Sequence, residues 1–259
     1  MSEMALKTVG LTKRFGALIA TDGVDLEVLQ DELHAVIGPN GAGKTTLVAM
    51  LAGELAPNEG SITFVGKDVT HTPVHQRALM GLARSYQITS VIPSFTALDN
   101  VALAAQAIDG HSYKFWRPAR AARHLNEKSA AILEEIGLGA RKDVLASSMA
   151  HGEHRQLEIA MALATDPKLL LLDEPTAGMG PTATEEMIEV LRTLKTRHAI
   201  LLIEHDMDVV FSLADRISVL VNGGRIATDT PDKIRQDKQV RRAYLGDKAD
   251  TLALASERK

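Results

Sequence analysis

The apolar run Leu33-His34-Ala35-Val36-Ile37 leads straight into Gly38-Pro39-Asn40-Gly41-Ala42-Gly43-Lys44-Thr45, and no other junction restricts the fold as strongly. The second segment fits G-x-x-x-x-G-K-[ST], and apolar residues then recur at helical spacing through Leu47, Val48, Leu51 and Leu55. A buried strand, a glycine loop and a helix therefore follow one another in that order. Glycines let successive backbone N–H groups turn inward around an anion. The helix that starts near Lys44 aims its positive end at the same point. Lys44 is placed to reach the β- and γ-phosphates of a bound triphosphate, and the Thr45 hydroxyl to hold Mg²⁺.

The rest of the chain reads as an α/β protein built around this unit. Leu6-Lys7-Thr8-Val9 and Asp25-Leu26-Glu27-Val28 alternate as half-exposed antiparallel strands do. Leu169-Leu170-Leu171-Leu172-Asp173 and Ala199-Ile200-Leu201-Leu202-Ile203-Glu204 read as buried strands, with a helical pattern from Thr184 to Thr196 between them. Helices between buried strands predict right-handed crossovers and a parallel sheet. Residues from about 90 to 150 are rich in Ala, Leu and charge, with helical periodicity and a glycine stop at Gly137. They are expected to form a helical sub-domain inserted in the core. Asn222-Gly223 within Ile217 to Ile226 signals a hairpin. The expectation is one domain over residues 1–247, followed by a flexible tail over 248–259.

Composition excludes several classes. Cysteine is absent, which removes disulfides and thiolate metal sites. A net charge of -4 gives no overall field towards nucleic acid or an anionic membrane. No window reaches ~18 uncharged apolar residues, and the first ten residues do not resemble a signal peptide. A membrane role is expected to come through a partner.

A phosphate site that does chemistry also needs a metal carboxylate and a group that activates water. Asp173 and Glu174 end the leucine-rich strand, where α/β sheets place their ligands. Asp173 suits Mg²⁺, and Glu174 suits a general base. His205 closes the next buried strand, from which an imidazole can meet the γ-phosphate or the water. His151 and His154 on one turn are too few ligands for a metal site. Lys114 to Arg123, with Phe115 and Trp116, reads as a solvated loop and helix face, with contact to a transmembrane partner as the alternative.

In this order, from about Leu6 to Gly246, the motifs resemble those of ATP-binding subunits of ABC transporters, a P-loop NTPase (RecA-like) core with an N-terminal antiparallel β sub-domain and an inserted α-helical sub-domain. Within that family the chain looks most like the ATPases of branched-chain amino-acid importers, with urea and short-amide importers next. Leu11 to Gly16, Leu201 to Asp208 and Arg242 to Gly246 carry the closer likeness.

The resemblance implies nucleotide contact by Phe15, stacked on adenine, and by Gly38, Pro39, Asn40, Gly41, Ala42, Gly43, Lys44, Thr45 and Thr46. It implies Mg²⁺ coordination by Thr45, Gln87 and Asp173, with Gln87 also linking the core to the membrane partner. It implies catalysis by Glu174, His205 and Lys44. The family signature, normally Leu-Ser-Gly-Gly-Gln, aligns with Met149-Ala150-His151-Gly152-Glu153, and acts in trans on the nucleotide of a second subunit. Ala150 lacks the usual hydroxyl, and Glu153 brings a carboxylate where an amide is usual. Gly180 stands where many relatives have Asp. The site completed by this chain's signature is therefore expected to be weaker than the site built on its own phosphate loop.

The implied cofactors are ATP and Mg²⁺. The implied partners are a second ATPase subunit (a sister chain or another copy), two transmembrane permeases and, indirectly, an extracytoplasmic solute-binding protein. Nucleic acid is not expected, and the implied location is the cytoplasmic face of the membrane, held peripherally. A soluble ABC ATPase acting on nucleic acid or the ribosome usually carries long coiled-coil insertions or two ATPase units, and neither occurs here. A nucleotide-binding module without turnover sits poorly with Glu174 and His205. The Asn-Lys-x-Asp pattern by which a P-loop GTPase recognises guanine does not occur.

Overall fold

The computed structural model describes residues 3–84, 91–108 and 123–245. The chain divides into two compact units, Met1–Thr72 with Leu201–Lys259, and Pro73–Ile200. The first unit opens with β1 (Met4–Phe15), β2 (Leu18–Leu29), β3 (Leu33–Ile37), α1 (Lys44–Ala52), β4 (Glu59–Phe64) and β5 (Lys67–Asp68). The second contains α2 (Val74–Leu79), β6 (Leu82–Arg84), α3 (Ala97–Ile108), α4 (Arg123–Glu135), α5 (His151–Leu163), β7 (Leu169–Asp173) and α6 (Pro181–Leu194). Strand β8 (Ala199–Ile203) crosses the boundary between the units. The chain then runs through α7 (Met207–Leu213), β9 (Arg216–Val221), β10 (Gly224–Asp229), α8 (Pro231–Gln236) and α9 (Lys238–Leu245).

Strands β1 and β2 pair antiparallel, as their alternation predicts, and β4 and β5 extend the sheet in the order β2-β1-β4-β5. Thr8 is buried in this sheet without cost to hydrogen bonding. Its hydroxyl donates to Val24 O and accepts from the Leu26 N–H, both at 2.9 Å. Strand β3 is buried along its whole length and runs parallel to β9, which turns through Asn222 and Gly223 into antiparallel β10. Both turn residues have positive φ, 49° and 82°, as a two-residue hairpin loop of the primed type requires. Helix α1 stops earlier than its periodicity predicts. Gly53 adopts φ 86° and caps it at Ala52, so Leu55 belongs to the following turn.

One polar chain crosses the apolar interior of this unit. His34 is fully buried between Glu32, 3.2 Å from Nδ1, and Ser218, 2.8 Å from Nε2. Ser218 Oγ lies 2.7 Å from Thr228 Oγ1, which accepts from Arg225 at 3.2 Å. Arg225 can only donate, so Thr228 Oγ1 accepts there, and the Glu32 carboxylate accepts from the Nδ1–H of His34. Burial pushes the Glu32 carboxyl up. The hydrogen bonds from His34 and the Leu29 N–H, with the charges of His34 and Arg216, outweigh this and leave it below the usual carboxylate value.

In the second unit, β6 runs parallel to β7, whose leucines are all fully buried. Helix α4 ends at the predicted glycine. Gly137 adopts φ 83°, and the Leu138 N–H returns to Leu133 O at 2.7 Å. The turn that follows presents Arg141. Helices α3 and α4 lie within the stretch from about residue 90 to 150, where helical character is expected. The segment Lys114 to Arg123 lies outside the described residues, apart from the backbone of Arg123, and so does the tail over 248–259.

Candidate nucleotide-binding and hydrolytic site

The phosphate loop belongs to the first unit, where the surrounding backbone fixes its shape. Gly43 has φ 96°, and a Cβ there would stand 2.2 Å from Ala20 O on β2. A Cβ on Gly38 would stand 2.2 Å from Leu220 O on β9. Only glycine lets the loop press this closely on both strands. The Gly223 N–H donates to Ala42 O at 3.2 Å, and the Asp22 N–H to Gly223 O at 2.9 Å, so the β9–β10 turn locks the loop from one side. Gly43, at the N-cap, offers α1 no side-chain cap, as a helix N-terminus that receives an anion requires. Lys44 Nζ donates to Gly38 O at 2.6 Å and Pro39 O at 3.1 Å, so the ammonium lies across the loop. Asn40, Gly41 and Thr45 are exposed, Pro39 and Thr46 half-buried, and Ala42 buried as the anchor.

Phe15 closes β1 at the tip of the β1–β2 hairpin, opposite Leu18. Its ring is 49% exposed, and Lys13 Nζ lies 5.5 Å from the ring centroid. Because Ala20 of the same hairpin touches Gly43, the hairpin flanks the loop and offers a flat apolar face beside it. His205 follows β8. Its backbone N–H donates to the fully buried Glu204 carboxylate at 3.0 Å, and its Nδ1 lies 3.6 Å from the same oxygen. Asp206 caps α7 through the N–H groups of Asp208 and Val209. A buried carboxylate before it and a helix cap after it thus fix the His205 backbone, while its ring is mostly exposed.

The second unit carries the carboxylates. Asp173 ends β7, is only 4% exposed, and pairs with Arg84 of β6 at 3.2 Å. Glu174 is half-buried and has φ 50°, an uncommon left-handed conformation for a residue with a side chain. A turn closes immediately behind it, with the Ala177 N–H donating to Glu174 O at 3.1 Å. For Mg²⁺ the donors are chemically suitable. A hydroxyl and a single anchored carboxylate are hard oxygen ligands, and this cation takes few protein ligands beside phosphate and water. No cluster of three His, Asp or Glu that would make an all-protein metal site occurs among the described residues. Gln87 lies outside the described residues, just after β6.

The signature opens α5. Ala150 is the N-cap and its methyl accepts nothing, but the Glu153 carboxylate turns back to accept the Ala150 N–H at 2.8 Å. The same carboxylate takes two bonds from Arg141, at 2.8 and 3.3 Å. Burial pushes Glu153 up, yet the Ala150 N–H and the Arg141 guanidinium together hold it below its ordinary value. His151 Nε2–H donates to Ala177 O at 3.2 Å. A Cβ on Gly152 would lie 3.2 Å from both Met179 and Ala183. The signature helix therefore packs against the turn Ala177–Gly180 of its own chain. Gly180 caps α6 by backbone alone, with Pro181 in the first position.

Sequence reasoning missed Arg84, Arg141, Glu204 and Asp206. Asp206 had a local signal, since Asp before an apolar helical run is a cap. Glu204 was visible only as a charged end to an apolar strand. The two arginines reach carboxylates through tertiary contacts and left no signal.

With this geometry in place, comparison with known proteins defines the class. The ABC transporter family model matches residues 21–177, and a model for the branched-chain amino acid ATP-binding cassette transporter matches residues 225–250. The chain belongs to the ABC transporter family and is one of its ATP-binding cassettes, an ATPase subunit. It is 40% identical over 254 residues to the high-affinity branched-chain amino acid transport ATP-binding protein LivG of Salmonella typhimurium, covering 95% of this chain and 100% of the relative. It is 38% identical over the same length to the corresponding protein BraF of Pseudomonas aeruginosa, with the same coverage. The crystal structure of the ADP conformation of an ATP-binding cassette of an ABC transporter superposes with TM-score 0.84 at 31% identity, covering 95% of this chain and 100% of that one.

Proposed function

We propose that this chain is the ATP-hydrolysing subunit of an importer for branched-chain or other apolar amino acids. The match at residues 225–250 to the branched-chain amino acid cassette carries the substrate class, because it lies outside the nucleotide-binding motifs common to all ABC ATPases. In this reading residues 1–247 act as one ATPase domain. Two such subunits, both of this chain or one a sister, close on two ATP molecules. Each nucleotide meets one chain's phosphate loop and the other chain's signature. Closure moves two permease subunits docked near Gln87 and the helical segment. The chain is held at the cytoplasmic face of the membrane by those permeases; no described helix is itself long and apolar enough to cross a bilayer. Outside, a solute-binding protein delivers the cargo.

The chemistry is positioning and electrostatics. Phe15 stacks on adenine, and the loop N–H groups from Gly41 to Thr46 receive the phosphates. Lys44 exchanges its two loop carbonyls for β- and γ-phosphate oxygens. Thr45, Asp173 and Gln87 would hold Mg²⁺, which would neutralise phosphate charge when bound. Glu174 orients the attacking water and accepts its proton as the new bond to the γ-phosphorus forms and the bridging P–O bond breaks, releasing ADP and phosphate. His205 hydrogen-bonds the γ-phosphate or that water. Ala150 to Glu153 face the γ-phosphate on the second subunit.

The test is reconstitution in proteoliposomes with the permease and solute-binding proteins of the same transporter. Leucine, isoleucine or valine should stimulate ATP hydrolysis several-fold. Stimulation by urea or short amides instead would overturn the substrate class. Purification with nucleic acid or ribosomes and without permeases would overturn transport altogether.

A further inference from the structure

The carboxylate of Glu153 stands in the first turn of α5, in the stretch that the proposed function turns towards a second subunit's triphosphate. A bare carboxylate there opposes anion binding. Yet the Glu153 carboxylate is also the acceptor that caps the Ala150 N–H, while the Ala150 methyl offers no acceptor to the first-turn N–H groups. The structure answers this conflict with Arg141. The short 3₁₀ turn Gly139–Arg141 directs it at Glu153, and two guanidinium nitrogens bind the two carboxylate oxygens separately. The turn is itself constrained. The Arg141 N–H donates to Leu138 O at 2.9 Å, and the Val144 N–H returns to Arg141 O at 3.0 Å. A Cβ on Gly139 would fall 2.1 Å from the Glu134 carboxyl carbon, the far end of a flexible side chain that can turn aside.

We propose that Arg141 is a positioning residue for ATP turnover: it neutralises Glu153, and so lets the signature helix keep a carboxylate cap while facing phosphate. This rests on the reading that Ala150 to Glu153 meet nucleotide in trans. The pair is part-exposed, 41% for Arg141 and 25% for Glu153, and ion pairs of that exposure add little to stability. Its consequence is the local field at the helix N-terminus.

The two single variants separate this role from simple pinning of the turn. A pair that only pinned the turn would suffer alike from loss of either partner. Charge neutralisation makes the losses opposite in sign. In the assembled transporter, Arg141→Ala leaves a bare carboxylate and should raise the KM for ATP roughly ten-fold. Glu153→Gln leaves a bare guanidinium and should lower it. Arg141→Ala introduced into the Glu153→Gln background should change KM by less than about two-fold, and Arg141→Lys should recover most of the wild-type value. Melting temperatures of all four variants report folding separately. Equal KM rises in both single variants, or a full Arg141→Ala effect in the Glu153→Gln background, would overturn the proposal.

Ala150→Asp tests the parent reading. Asp is a good N-cap, so melting should not fall, but its unpaired carboxylate should raise KM. If neither Ala150→Asp nor Arg141→Ala alters ATP kinetics, the signature does not meet nucleotide and both readings fail. If Ala150→Asp alone does, only the role of Arg141 fails.

Discussion

Glu174 holds φ 50° at the end of β7, where the chain turns sharply through Pro175. A residue with a Cβ pays about 1–2 kcal/mol for the left-handed region. Glycine pays nothing there but loses more freedom on folding, about 0.4–1 kcal/mol relative to alanine. Comparing Glu174→Gly with Glu174→Ala cancels the carboxylate's own contacts, since both variants lack it. The difference leaves glycine more stable by about 0.5–1 kcal/mol, the reverse of its usual rank. In a chain of this size that corresponds to a melting-temperature gap of roughly 1–4 °C. Calorimetry on the two purified variants reads the gap, and ATPase assays should find both inactive. An alanine variant equal to or more stable than the glycine variant would refute the claim that this backbone is strained. The reasoning that local strain is kept because it aims a catalytic carboxylate would fall with it.

Three further outcomes follow from the same geometry. Gly43→Ala forces a Cβ against Ala20 O and should cost about 2–4 kcal/mol in urea unfolding, with nucleotide binding lost by fluorescence titration. Ala150→Ser supplies the missing cap to α5 and should raise stability by about 0.5–1 kcal/mol, measured by thermal melting. Glu32→Gln should destabilise the protein by about 1.5–3 kcal/mol at pH 7, because a buried charged acceptor is lost. Since the folded-state carboxyl sits below its ordinary 4.5, that contribution is present above this value and fades as pH falls through the folded-state value. The wild-type and variant unfolding curves should therefore converge in acid.

The elements legible in the sequence were those whose signal is local. The Gly38–Thr45 loop, the Leu169–Asp173 strand and the Asn222-Gly223 turn each announce themselves within a few residues. The structure keeps β3 and β7 at their predicted limits. Strand β4 opens with Glu59-Gly60, and β6 spans only Leu82–Arg84, so neither has a periodic pattern to read. Both exist because distant strands offer them edges, β1 in one case and β7 in the other. The site divides the same way. Lys44, Asp173, Glu174 and His205 are read from motif and strand-end position. The Arg84–Asp173 contact spans 89 residues, and the Arg141–Glu153 contact joins a turn to a helix, so neither leaves a trace in spacing. Glu153 seemed from sequence to weaken the signature, and its ion pair with Arg141 now supplies the neutralisation that the weakening argument lacked.

The central claim is that ATP held on this chain's phosphate loop is hydrolysed with Glu174 as base. The most direct measurement is single-turnover hydrolysis by the assembled transporter carrying Glu174→Gln in this chain, with ATP binding measured in parallel. The account predicts that binding is retained while hydrolysis at this chain's site falls by at least about 100-fold, the scale of a lost general base. Hydrolysis at the wild-type rate with normal binding would contradict it.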